Sequence, residues 1–186
     1  MIARGVGIFL ACTLLQIQAA VAADPAADFL TKLFTDVCVP NMGRPDKVRA
    51  WANEKRLQAV TNPAALHVFV GQGDKGGAWA VPAQAGNFAL AIRGTTEGCV
   101  VWAQAAHVGE VANNFKKIME GVKRPGLKVS VASDQTNPTA FGQVRALVYS
   151  VFPDNGRRGF GFTMLTAERA GGPYQASLQV AAASAP

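Results

Sequence analysis

Asn87-Phe88-Ala89-Leu90-Ala91-Ile92-Arg93, the turn Gly94-Thr95-Thr96-Glu97-Gly98, and Cys99-Val100-Val101-Trp102-Ala103-Gln104 lead into a run from Val108 to Val122. The period of apolar residues changes inside this stretch, and the fold class follows from the change. In the first segment Phe88, Leu90 and Ile92 face one way while Ala89, Ala91 and Arg93 face the other, which is the alternation of a strand. The second segment alternates too, but both of its faces are apolar, so it is expected to be covered on both sides. From Val108 the spacing becomes helical. Val108, Val111, Ala112, Phe115, Ile118, Met119 and Val122 form one stripe, opposite Asn113, Asn114, Lys116, Lys117 and Glu120. Pro125-Gly126 stops this helix.

Upstream, Asp24 is suited to cap a helix, Pro25 to its first turn, and Phe29, Leu33, Phe34 and Val37 recur at helical spacing up to Cys38. A second helix is predicted from Pro45 to Ala59. His67 to Val70 reads as a short β-like run before the glycine-rich turn Gly71 to Gly77, and Ala78 to Pro82 as a further short strand. Downstream, strands are predicted at Leu127 to Ala132, Val144 to Phe152, Phe160 to Thr166 and Tyr174 to Val180. Pro153-Asp154-Asn155-Gly156 makes a hairpin turn whose Asn-Gly pair accepts positive φ. Strands in succession without helices between them favour antiparallel pairing. The expected architecture is a single α+β domain over residues 24–180, helices packed on an antiparallel sheet, with 181–186 as a frayed tail.

Residues 1–22 read as a signal peptide. Arg4 is the positive start, Val6 to Ile17 the apolar run, and Ala20-Val21-Ala22 the small-residue cleavage site. Cleavage after Ala22 or Ala23 leaves no apolar segment long enough to span a bilayer. The protein is therefore expected in an oxidising compartment, periplasmic or secreted. Removal of the leader takes Cys12 with it and leaves Cys38 and Cys99, an even pair that reads as one disulfide. Closing a loop of that length stabilises a fold by about 4 kcal/mol in the chain-entropy model. A free thiol activated by His67 or His107 is the competing reading, and nothing in the spacing supports it.

The formal net charge is +6, and charged residues make up only 16% of the chain, sparse for a soluble domain. A basic, lightly charged surface outside the cytoplasm suits an anionic envelope component or another periplasmic protein as partner; the competing reading is a solubility setting with no partner. Nucleic acid is excluded as a partner, because no recognition motif accompanies the charge. Arg157 and Arg158, adjacent in a hairpin turn, are the candidates for an anionic contact. Lys123 and Arg124 are explained by the helix they follow: they complement its C-terminal dipole and lie within reach of Glu120.

The segments Gly77-Ala78-Trp79-Ala80-Val81-Pro82, Gly86-Asn87-Phe88 and Gly98-Cys99, with an amphipathic helix carrying Phe115, resemble an uncharacterised family of small secreted proteobacterial proteins. The shared signature is an Ala-Trp-x-x-Pro strand, a Gly-x-Phe strand and a Gly-Cys strand. The resemblance runs from about Trp79 to Phe115, with an upstream cysteine partner at Cys38, and implies compartment and fold. It carries over no catalytic residue. Trp79 and Trp102 suit either exposed platforms for a glycan or aromatic ligand, or core anchors whose indole N–H needs a partner.

Catalytic and metal signatures are sparse. Two histidines forty positions apart do not make a metal site when the cysteines are paired, and no cofactor motif stands out. Neither Gly-x-Ser-x-Gly nor Ser-x-x-Lys occurs. Glu54, Glu97, Glu110, Glu120 and Glu168 all sit in solvated contexts, unlike a general acid raised by burial. The residues point to a non-catalytic binding or accessory protein of the cell envelope. The alternative is an envelope hydrolase assembled from a histidine and carboxylates.

Overall fold

A computed structural model describes residues 23–71, 75–140 and 142–185. The leader expected over residues 1–22, with Cys12, lies outside these residues, as does part of the Gly71 to Gly77 turn. Helix α1 (Pro25–Leu33) starts as its sequence requires. Asp24 is extended at φ −79° and its side chain accepts a hydrogen bond from the Ala26 N–H at 3.1 Å. The helix does not continue regularly to Cys38. A π-helical turn, Phe34–Cys38, and a 3₁₀ turn, Val39–Asn41, replace its last part. Pro40 has no N–H to extend the ladder. The wider turn places Phe34, Val37 and Cys38 all in the core, each fully buried.

Helix α2 (Pro45–Glu54) ends earlier than predicted, because Arg56 takes a left-handed φ of 52°. The chain then forms a two-residue edge strand, β1 (Gln58–Ala59). The β-like reading of His67 to Val70 is corrected: these residues are the last turn of helix α3 (Pro63–Val70). Asn62 caps that helix by accepting from the Ala65 N–H at 3.1 Å, and Pro63 opens it. Packing supplies the rest, since Leu66, Phe69 and Val70 lie against an apolar sheet face. A cap and a buried face outweigh the weak β preference of four residues.

The remaining elements are β2 (Gly77–Ala83), β3 (Gly86–Arg93), β4 (Gly98–Ala103), α4 (Val108–Val122), β5 (Leu127–Thr139), β6 (Gly142–Pro153), β7 (Arg158–Ala167) and β8 (Ala176–Ser184). They form one eight-stranded antiparallel open sheet of order β1-β2-β3-β4-β8-β7-β6-β5. Two meanders meet at its centre. The first runs from β1 to β4, then α4 carries the chain to the far edge, and the second returns from β5 to β8. Val101 lies opposite Leu178 where β4 pairs with β8. Every residue of β4 is buried, as expected of a strand covered on both faces.

The near face carries α1, α2 and α4 over the main core. Leu90, Ile92, Val101, Phe162, Met164 and Leu178 from the sheet meet Leu30, Phe34, Phe115 and Met119 from the helices. Burying each large apolar side chain stabilises the fold by about 1.5–3 kcal/mol. On the far face α3 packs over Ala89, Ala91, Val100 and Trp102. The end of the chain, expected to fray from Ala181, is paired strand as far as Ser184, which lies opposite Arg158. Ladder hydrogen bonds to β7 hold it. The hairpin after Pro153 forms without positive φ at Asn155 or Gly156. Gly156 is needed there for space, since a Cβ would lie 2.9 Å from the Pro153 ring.

Candidate functional site

Each residue singled out in the sequence has a definite place. Cys38 and Cys99 are bonded, with Cα atoms 5.3 Å apart, joining the π turn to the central strand β4. Trp79 and Trp102 are 7% and 3% exposed, so neither is an open platform. Period-two alternation sends them to opposite faces. Trp79 packs in the main core with the Arg49 guanidinium 6.0 Å from its ring centroid. Trp102 lies under α3, with Tyr174 at 3.8 Å and Phe69 at 6.3 Å between ring centroids. Its indole N–H is buried without a hydrogen-bond partner among the described residues. A cavity of about 150 Å³ beside it is bordered by Asn87 and Gln104. Burial of Tyr174 pushes its phenol above the ordinary value, against a smaller opposing pull from Arg93.

The two histidines are not brought together into a site. His67 is exposed on α3. His107 is the N-cap of α4: its Nδ1 accepts from the Glu110 N–H at 3.3 Å, and its own N–H donates to the Asp24 carboxylate. The Asp24 N–H in turn donates to Glu110 Oε2 at 2.5 Å. This knot binds the starts of α1 and α4. A broad open depression nearby, about 970 Å³, is bordered by Asp24 and Asp28, but Asp28 is engaged by Asn114 at 3.0 Å. Among the described residues no group of three metal-ligating side chains converges, and no helix is long and apolar enough to cross a membrane.

A more enclosed recess, about 370 Å³, opens at the other end of α4. That volume is in the range of small-molecule sites. Its walls come from three layers. Val151 and Phe162 rise from the sheet, with Phe160 beside them. Val39 and Met42 project from the 3₁₀ turn and the residues after it, and Val122 ends the apolar stripe of α4. The reason is geometric: the helix stripe runs to Val122, past the last residue that the sheet and α1 cover completely, so a gap remains at the open end.

Arg124 and Arg158 border this recess. Both are exposed, and neither forms an ion pair with an acidic side chain among the described residues. Alternation explains which of the paired arginines belongs here. Arg158 begins β7 two residues before Phe160 and four before Phe162, so it shares their face, whereas Arg157 stays in the turn. Arg157 does not border the recess; its carbonyl accepts from the Ala185 N–H at 2.8 Å. Lys123, but not Arg124, pairs with Glu120, at 2.7 Å. The pairing with Glu120 expected of Arg124 is therefore made by Lys123 alone. Sequence reasoning missed this recess; the signal that could have found it is the coincidence of two basic positions, Arg124 and Arg158, with the ends of two apolar stripes.

No protein-family model, curated protein or solved structure matches this chain. The chemistry of the recess must be read from its own residues. Its lining holds no nucleophile and no titratable acid or base, since arginine keeps its proton. What the walls offer is burial for an apolar body and two cations for an anion.

Proposed function

We propose that this protein is an exported, non-catalytic binding or accessory protein of the cell envelope, periplasmic or secreted. The observation that carries the reading is the recess itself, an apolar cavity with arginines at its mouth and no reactive group in its walls. Such a lining binds by shape, burial and charge, and has nothing with which to transfer a proton or attack a bond. Export is supported by the leader-like residues 1–22 and by a disulfide between buried cysteines, a bond that persists in oxidising compartments.

The test is capture of small molecules from native envelope extract by the purified protein, followed by mass spectrometry of what is released. A component recovered unchanged in mass and in stoichiometric amount supports the reading. Progressive conversion of an envelope component by the protein would overturn it in favour of an enzyme.

A further inference from the structure

We infer that the recess at the end of α4 takes a single-chain amphiphile, its acyl chain against Phe160, Phe162, Val151 and Val122 and its anionic head between Arg124 and Arg158. The inference rests on the binding reading above and adds the ligand class. Three observations converge on it. The recess is walled by aliphatic and aromatic side chains from the sheet, α4 and the 3₁₀ segment, a lining suited to hydrocarbon. Its two cations have no acidic partner among the described residues, although each stands at the boundary of apolar surface. Glu97 borders a more open neighbouring depression that shares Arg158 and Phe160 with the recess, and it makes no ion pair with Arg158.

The third observation concerns the surrounding charge. Lys123 adjoins Arg124 and Arg157 adjoins Arg158 in the chain, against Asp154 in the hairpin turn and Glu120 in α4, and Glu120 is already paired with Lys123. The field at this end of the molecule is positive, so it attracts an anion and disfavours a cationic head. Arginine suits either a carboxylate or a phosphate, both of which accept two parallel hydrogen bonds from one guanidinium.

Calorimetric titration with dodecanoate, dodecyl phosphate, dodecanol and dodecyltrimethylammonium, each below its aggregation concentration, tests the head. The two anions should bind at least about tenfold more tightly than the alcohol, and the cation most weakly. Arg124→Gln with Arg158→Gln should bring the anions down to the alcohol's level. A series of linear carboxylates tests the tail: affinity should rise about fourfold per added methylene and then level off once the recess is full.

Gly121→Phe blocks the recess from its rim. A Cβ at Gly121 meets nothing within 4 Å, and replacing a helical glycine does not threaten the fold. This variant should weaken the whole series and shorten the levelling-off length. Equal affinity for all four heads, or binding indifferent to Gly121→Phe, overturns the inference.

Vesicles separate the two sources of such a ligand. Removal of labelled phosphatidylglycerol from the bilayer by the wild type and not by Gly121→Phe assigns a membrane lipid. Binding of free carboxylates and phosphates without lipid removal assigns a soluble amphiphile. Failure of every amphiphile, with an unaltered envelope component still captured, would remove the acyl ligand and leave the binding reading standing.

Discussion

Cys38 and Cys99 tether a helical segment to the centre of the sheet across 61 residues of chain. Replacing both by alanine should cost about 4 kcal/mol, read as a lower urea midpoint, and should raise the denaturant slope because the unfolded chain expands. Trp102 presents a different balance. Its buried N–H lacks a partner among the described residues, which costs about 1–3 kcal/mol, while shrinking the side chain to phenylalanine sacrifices packing of similar size. Trp102→Phe should therefore change stability by no more than about 1 kcal/mol, whereas Phe34→Ala, in the dry core, should cost about 3–5. Beside it, Tyr174 titrates late. The folded chain keeps a phenolic proton that the unfolded chain releases from its ordinary value of 10.0. This contribution is complete below that pH and is lost as pH rises through the folded value. Tyrosinate absorbance should show Tyr174 ionising above pH 10.0, and Tyr174→Phe should flatten the alkaline loss of stability. A phenol that titrates at its ordinary value would remove this account.

At the level of elements, long periodic segments were legible and short ones were not. The alternation of β3 and the stripe of α4 each repeat several times, so no neighbour can change their type. His67 to Val70 offered only four residues, and the cap at Asn62 together with the far sheet face made them helical. The segment after Leu33 kept a helical spacing, yet Pro40 and the burial of Phe34, Val37 and Cys38 widened it into a π turn. Two glycines show the same dependence on surroundings. At Gly121 in α4 an added Cβ meets open space, so Gly121→Ala should stabilise by about 0.5–1 kcal/mol. At Gly159 in β7 a Cβ would lie 2.2 Å from the Val151 carbonyl oxygen and 2.6 Å from the Phe152 ring. Gly159→Ala should therefore cost about 1–3 kcal/mol or more, seen as a lower melting temperature. Nothing in the local sequence distinguishes the two positions.

For the whole molecule, the sheet order places the last strand against the middle one, so the chain end is structural. Truncation after Val180 removes the pairing of Ala181 to Ser184 with Arg158 to Gly161 and takes away one side of the Arg158 strand. It should lower stability by at least about 1 kcal/mol and weaken anionic ligands at the recess, measured by denaturation and calorimetry. An unaffected truncation would mean the tail frays after all. The α+β class, the strand and helix periods around Phe88 to Val122, and the pairing of two cysteines all follow from residues close in sequence or from simple arithmetic. The choice between Arg157 and Arg158, the burial of both tryptophans and the recess itself do not. They depend on which strand lies beside which and on where the helix stripe outruns its cover. Periodicity sets which side of an element is apolar; only the packing of distant elements sets how much of that side is filled and where a gap meets a charge.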